Sequence, residues 1–546
     1  MTQPIGWGRL LVGAFVVGAA GVSFGHPLVT AAQRPVPGAV ACQGMTTIAL
    51  PETSLVTSYT EATPAKGPMA ALPAHCVVRG AMSPRVGADG RNYETRFELR
   101  LPTDWSGRFF YQGGGGNDGS VQAAIGRNTG SFNGPALSRG YAVVTTDAGH
   151  QGGGPEFGLD PQAKIDHAYA AHDRTARVAK DLVTRYYGRP ASRSYFVGCS
   201  GGGRQGMMFA QRFPDYFDGI VVCAPAMSVS SGATIAAAWD TAQFLAAAPT
   251  DDSGQRILSR AFSNADLDLV SRRILASCDG ADGAVDGMVQ DVTRCRFDPA
   301  SLRCDGAKTD TCLLPDQVTA LTRVFDGPVD SSGRRLYVGQ PWDPGIRAPG
   351  WRQWKLGTSI TAMPNAANTT LMAGALAYQF FTPPDPSFAL SSFDFDRDPA
   401  RMDAYSQVFD TFRDATLDRF RARGGRLLMF HGTADGIFSA SESVEYYTRL
   451  AENNGGVAAT REWARLFLIP GMNHCSGGPA TDSFDGLAAI EGWVERGVAP
   501  ELVPAAATST NAWFPNRTRP LCPYPAVARY TGTGSLEAAA NFQCMP

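Results

Sequence analysis

GCSGGGRQGMMFAQRF, residues 198–213, decides the fold. The apolar run SYFVG (194–198) leads into it, and Pro214 closes it. Gly198-Cys199-Ser200-Gly201-Gly202 fits G-x-S-x-G, in which small residues permit a sharp strand-to-helix turn that lifts a serine hydroxyl above a sheet. Alone, the pattern is common, and an ordinary glycine-rich turn reads the same way. The strand before it and the helical RQGMMFAQRF after it are the context that the motif requires.

Working outward, further short apolar runs end in turn residues: RFFYQ (108–112), YAVVTTD (141–147), GIVVCAP (219–225), RLLMFHG (426–432) and RLFLIPG (465–471). Between them, DRTARVAKDLVTRYYG (173–188) and SESVEYYTRLAEN (441–453) carry apolar residues at helical spacing with a Gly or Asn stop nearby. Buried strands alternating with helices predict an α/β protein with a mostly parallel sheet covered on both faces. The alternation breaks over residues 227–415, a stretch rich in turns, aromatic residues and cysteines that reads as an inserted lid domain rather than a linker. The sheet domain then divides into residues 32–226 and 416–546.

A serine near its ordinary pKa is a weak nucleophile; it needs a base, and the base needs an orienting carboxylate. Asp435, in FHGTADGIF, follows one expected strand, and His474, in IPGMNHCSGG, follows the next. The chain order Ser200, Asp435, His474 is that of the α/β-hydrolase fold. The plainer reading makes Asp435 a helix cap and His474 a solvated loop residue. His150 and His431 also end apolar runs and read as hydrogen-bonded loop residues. An acyl-transfer site further needs donors for the oxyanion. These are the N–H of Gly201 and one from YQGGGGNDG (111–119), with Gly116 the first choice and Gly115 the next. Cys199 and Cys475 stand beside the serine and the histidine, so a disulfide between them would tie the two catalytic turns together.

CDGADGAVDGMVQD (278–291) places Asp279, Asp282 and Asp286 among glycines that let the chain curl around a hard cation. The expected site is a structural Ca²⁺ held by these carboxylates and the carbonyls of Ala284 and Met288; a solvated acidic turn is the alternative. The spacing is not that of an EF-hand.

With 546 residues, a formal net charge of -2 and 18% charged residues, the chain shows no basic run, which excludes nucleic acid or an anionic membrane surface as the expected partner. The start, MTQPIGWGRLLVGAFVVGAAGVSFGHPLVTAAQ, has Arg9, an apolar run and the small-residue site Val29-Thr30-Ala31. It reads as a signal peptide over residues 1–31, and hence as export to a periplasm or the medium. No later run reaches the roughly 18 apolar residues of a membrane span, so no stable membrane insertion is expected. Eleven cysteines in an exported chain imply disulfides. No C-x-x-C pair suggests zinc, and Cys223, inside GIVVCAP, is the expected buried thiol.

With these residues in hand, the chain resembles the tannase/feruloyl esterase family of α/β-hydrolases from about Cys42 to Cys544. The likeness is densest in residues 198–221, 278–289, 465–485 and 519–530. It implies the same triad, a lid with calcium, an aromatic ester substrate, and cysteine pairs Cys42–Cys76, Cys199–Cys475, Cys278–Cys295, Cys304–Cys312 and Cys522–Cys544. One departure bears on specificity. Members that act on a terephthalate monoester hold its free carboxylate with a lid arginine, and NAANTTLMAGALAYQFF (365–381) contains none. Aligned with a one-residue gap, a pocket tryptophan of such members falls at Lys355, which makes Lys355 a candidate substrate-binding cation. Phe380 and Phe438 match aromatic positions near the pocket. The expected function is therefore a serine esterase forming an acyl-enzyme on Ser200 with esters of aromatic carboxylic acids, a terephthalate monoester among them. The alternative is a feruloyl esterase or tannase acting on plant phenolic esters. A binding protein without chemistry would need an incomplete triad.

Overall fold

Near-continuous apolar sequence becomes strand that is buried on both faces, and this sets the centre of the molecule. The computed structural model describes residues 38–66, 70–127 and 134–546; the expected signal peptide lies outside them. Among the described residues, nine strands form the main sheet: β1 (Thr53–Thr60), β2 (His75–Val86), β3 (Asn92–Pro102), β4 (Arg108–Gln112), β5 (Ala142–Thr146), β6 (Arg193–Cys199), β7 (Gly219–Cys223), β8 (Arg426–Gly432) and β9 (Ala464–Ile469). Their order is β1-β2-β3-β5-β4-β6-β7-β8-β9. From β5 to β9 every pairing is parallel, whereas β1, β2, β3 and β5 pair antiparallel. The antiparallel edge was not anticipated: β1 alternates exposed and half-buried residues rather than forming an apolar run.

Successive side chains of a strand point to opposite faces, and the core divides accordingly. Phe109, Tyr111, Phe196, Ile220 and Val222 pack on one face with Leu182 of helix Ala171–Tyr187 and Met207 of helix Gly201–Arg212. Phe110, Tyr195, Val197 and Val221 pack on the other with Leu487, Ile490 and Trp493 of helix Gly486–Arg496. The sheet is thus covered on both sides, as in an α/β-hydrolase.

Between the end of β7 and the start of β8 the chain leaves the sheet for a largely helical segment with apolar clusters of its own. Its two ends are tied together: Asp410 accepts the N–H groups of Ser230 and Ser231 (3.1 and 3.0 Å) and both serine hydroxyls (2.9 and 2.6 Å). Five disulfides are present, pairing the ten cysteines as the family resemblance implied, and Cys223 is a buried free thiol. No helix among the described residues is long and apolar enough to cross a membrane.

Candidate active site

β6 ends at Cys199, and Ser200 turns the chain into the following helix with φ 62° and ψ -125°, in the region that L-residues rarely adopt. Its N–H donates to the Cys223 carbonyl (3.0 Å), and its carbonyl accepts from Arg204 N–H (3.0 Å). Gly202 is required by close approach, since a Cβ there would come within 2.5 Å of the Gly114 oxygen. Strain of this kind persists only where surrounding bonds over-determine it, and it is frequent at nucleophiles.

Asp435 lies in the turn after β8 and His474 in the turn after β9, both at the carboxyl ends of parallel strands. His474 Nε2 stands 2.9 Å from Ser200 Oγ, and His474 Nδ1 stands 2.8 Å from Asp435 Oδ2. Asp435 is sealed from solvent; its Oδ1 accepts the N–H groups of Ile437 (2.8 Å) and Phe438 (3.1 Å). Burial alone would raise its carboxyl, but His474 and His431 outweigh that and hold it well below the usual carboxylate range. An ionised Asp435 can only accept, so His474 carries its proton on Nδ1 and turns Nε2 to the serine as an acceptor. His431 lies within β8, one residue before its end, rather than in a loop; its Nδ1 stands 2.7 Å from Ser443 Oγ, and its Nε2 stands 3.2 Å from the Phe438 carbonyl and 3.5 Å from Asp435 Oδ2. The Cys199–Cys475 disulfide, with Cα atoms 6.1 Å apart, joins the serine and histidine turns directly.

Gly116 and Gly201 lie side by side: a Cβ on Gly201 would sit 3.5 Å from Gly116 N and 3.2 Å from Gly116 O. Neither N–H donates to a main-chain carbonyl among the described residues, so both remain available beside Ser200. Gly116 has φ 58°, which a glycine adopts without penalty.

A cavity of about 270 Å³ opens on Ser200 and His474. Its apolar wall includes Trp354, Leu371, Met372, Phe380, Phe409 and Phe438, and its polar wall includes His167, Arg204 and Gln379. Phe380 and Phe438 both line this cavity. Lys355 does not, and that expectation is corrected. Its side chain is wholly buried in an ion pair with Asp240 and does not line the cavity, whereas Trp354, one residue earlier on helix Pro349–Lys355, does. Arg204 is also enclosed, donating to the carbonyls of Ala168 (2.9 Å), Phe409 (3.3 Å) and His167 (3.1 Å).

The acidic loop at residues 279–288 curls as expected. Asp279 accepts the N–H groups of Asp286 (3.2 Å) and Gly287 (2.9 Å), Asp282 Oδ1 accepts that of Ala284 (3.0 Å), and Asp286 Oδ1 that of Met288 (3.1 Å). Asp286 Oδ2 pairs with Arg519. Asp282 Oδ2 is buried with no hydrogen-bond partner. Among the described residues no group of three His, Cys, Asp or Glu side chains is arranged to hold a metal ion.

The sheet and the elements at its carboxyl edge define the class as an α/β-hydrolase. A family model described as tannase and feruloyl esterase matches residues 76–545; the chain belongs to that family and is a carboxylic ester hydrolase. It is 43% identical over 533 residues to the mono(2-hydroxyethyl) terephthalate hydrolase of Piscinibacter sakaiensis, covering 90% of this chain and 88% of that one. A probable feruloyl esterase of Arthroderma benhamiae is 31% identical over 479 residues, 82% of this chain and 81% of its own. The crystal structure of feruloyl esterase B from Aspergillus oryzae superposes with a TM-score of 0.77 at 26% identity, covering 93% of this chain and all of that one (100%).

Proposed function

We propose that the protein is an exported serine esterase that hydrolyses esters of aromatic carboxylic acids through an acyl-enzyme on Ser200, with residues 227–415 acting as its lid. The observation that carries this is the unbroken chain Ser200–His474–Asp435 opening onto an aromatic-walled cavity. Ser200 Oγ attacks the ester carbonyl while His474 Nε2 takes its proton, and the oxyanion is received by the N–H groups of Gly116 and Gly201. His474 then returns the proton to the departing alcohol, and a water repeats the sequence to release the aromatic acid. Five disulfides and the apolar start of the chain support export.

For the acyl group, the likeness to the terephthalate monoester hydrolase supports a monoester of terephthalate as substrate. The enclosure of Lys355 favours a second reading, a feruloyl or galloyl ester, because it removes the candidate grip on a free carboxylate. The two readings are separated by kcat/KM of the mature enzyme on mono(2-hydroxyethyl) terephthalate, methyl ferulate and methyl gallate, with Ser200→Ala as control. A clear preference for the terephthalate monoester upholds the first reading; a hundredfold or so preference for a phenolic ester upholds the second.

The acidic loop is proposed as a structural Ca²⁺ site formed by Asp279, Asp282, Asp286 and the carbonyls of Ala284 and Met288. Oxygen donors in a glycine-punctuated curl suit a hard cation. The partnerless Asp282 Oδ2 supports this.

A further inference from the structure

Four consecutive glycines, Gly113–Gly116, lead to one of the proposed oxyanion donors. Glycine loses more conformational freedom on ordering than any other residue, so such a loop needs a hold from outside. Its first N–H, that of Gly113, donates to the Val197 carbonyl of β6 (2.9 Å). Beyond the glycines, His150 Nε2 stands 2.8 Å from the Asn117 carbonyl and the Gly119 N–H donates to the Asp147 carbonyl (2.9 Å), while one further side chain reaches the glycines themselves. Gln205 Oε1 accepts the Gly114 N–H at 3.0 Å, and Gln205 Nε2 donates to Asp118 Oδ2 at 2.9 Å. The Asp118 N–H closes the turn on the Gly115 carbonyl (3.0 Å).

Gln205 is buried and stands on helix Gly201–Arg212, which begins at the nucleophile and carries the other oxyanion donor, Gly201. A single amide therefore grips the loop on both sides of Gly116 and references it to the element that holds Ser200 and Gly201. The orientation of the amide is fixed by its partners. An N–H on one side demands the oxygen, and a carboxylate on the other demands the nitrogen.

We propose that Gln205 is a positioning residue for the oxyanion hole: its amide holds the glycine loop so that the Gly116 N–H faces the carbonyl attacked by Ser200. This rests on the serine-esterase reading above. Oxyanion donors act over a narrow range, about 2.7–3.1 Å from the developing charge, and a displacement of about 1 Å costs about a hundredfold in rate. A loosened glycine loop should thus raise the barrier without weakening binding of the ground-state ester.

The test uses Gln205→Met, which keeps the volume and loses both bonds. It also uses Gln205→Glu alone and combined with Asp118→Asn, a pair that restores both bonds with the second one reversed. All are assayed at about pH 10, above the value of about 7 to which burial pushes Asp118 in the wild type, so that the facing carboxyls of Gln205→Glu are driven toward the ionised, mutually repelling state. Gln205→Met is expected to lower kcat by about tenfold to a hundredfold with KM within about twofold. It should weaken inhibition by phenylboronic acid, which forms a tetrahedral adduct on serine, by a like factor, and leave inhibition by benzoate unchanged. Gln205→Glu should be impaired, and the pair should recover to within about threefold of wild type. Wild-type kcat in Gln205→Met, equal losses for boronate and benzoate, or a pair no better than Gln205→Glu would each overturn the proposal. If Gln205→Met fails to fold, the Glu/Asn pair carries the test alone. If wild-type turnover of esters persists in Ser200→Ala, the serine-esterase reading falls and this inference with it. If turnover needs Ser200 but not Gln205, only this inference falls.

Discussion

Trp354 meets His474 edge to face, with ring centroids 5.1 Å apart and planes at 83°. Phe438 approaches the same imidazole at 5.4 Å and 66°. The His474 imidazole, the proposed base, is thus held between two aromatic side chains, one from the inserted segment and one from the turn after β8. Removing the indole takes away a wall of the cavity and an edge-to-face contact worth about 1 kcal/mol beyond its buried area. Trp354→Ala should lower kcat/KM by about tenfold or more, with Trp354→Phe intermediate. Steady-state kinetics on the preferred ester checks this, and an unchanged value for Trp354→Ala would deny the indole any part in the site.

Lys355, next along the chain, has a different duty. Its ammonium is wholly enclosed with Asp240, pinning helix Pro349–Lys355 to helix Thr234–Ala247. Breaking a buried pair by removing one partner strands the other charge, at about 3–5 kcal/mol, whereas replacing both by apolar groups can be neutral. Lys355→Met should therefore lower Tm sharply, and Lys355→Met with Asp240→Leu should regain most of it in a calorimetric scan. If the double variant melts no higher than the single one, the ion pair is not what holds the two helices.

Glu442 gives stability a pH dependence of known sign. Burial first, and Asp410 nearby, push its carboxyl from 4.5 up to about 8, against hydrogen bonds from Ser228 and Tyr337. Between those values the folded protein keeps a proton that the unfolded chain releases, so this group makes stability fall as pH rises through the window. Glu442→Gln should flatten that slope, melting about a few degrees above wild type near pH 8 and matching it near pH 4.5. Parallel Tm profiles for the two proteins would contradict the shift.

The calcium proposal is separable from the chemistry. Chelation with EGTA should lower the Tm of the wild type, and Asp282→Ala should melt lower and lose its response to added Ca²⁺, because binding to the folded state alone stabilises it by mass action. An Asp282→Ala protein that responds to Ca²⁺ as the wild type does would remove these residues as ligands.

The meeting of Ser200, His474 and Asp435 was legible because its logic is one-dimensional: a serine in a glycine turn, then an acid and a histidine, each just after an apolar run. The mostly parallel sheet follows from the same runs, whereas its strand order does not. Trp354 and Lys355 were not separable in this way. Helix Pro349–Lys355 has one face toward the cavity and another toward Asp240, and which residue takes which face is set by packing with distant segments. His431 as a second partner of Asp435, and Gln205 as the hold on the glycine loop, are likewise contacts between elements that no local pattern announces. The antiparallel edge escaped because β1, β2 and β3 interleave polar with apolar residues instead of forming unbroken apolar runs.

The bond between Cys199 and Cys475 spans 276 positions, with the whole inserted segment between its ends. In the order of the chain, Cys199 and its cross-strand neighbour Cys223 both precede Cys475, and so does every residue that walls the cavity. The covalent tie between the serine turn and the histidine turn therefore requires a chain that already contains the whole lining of the site.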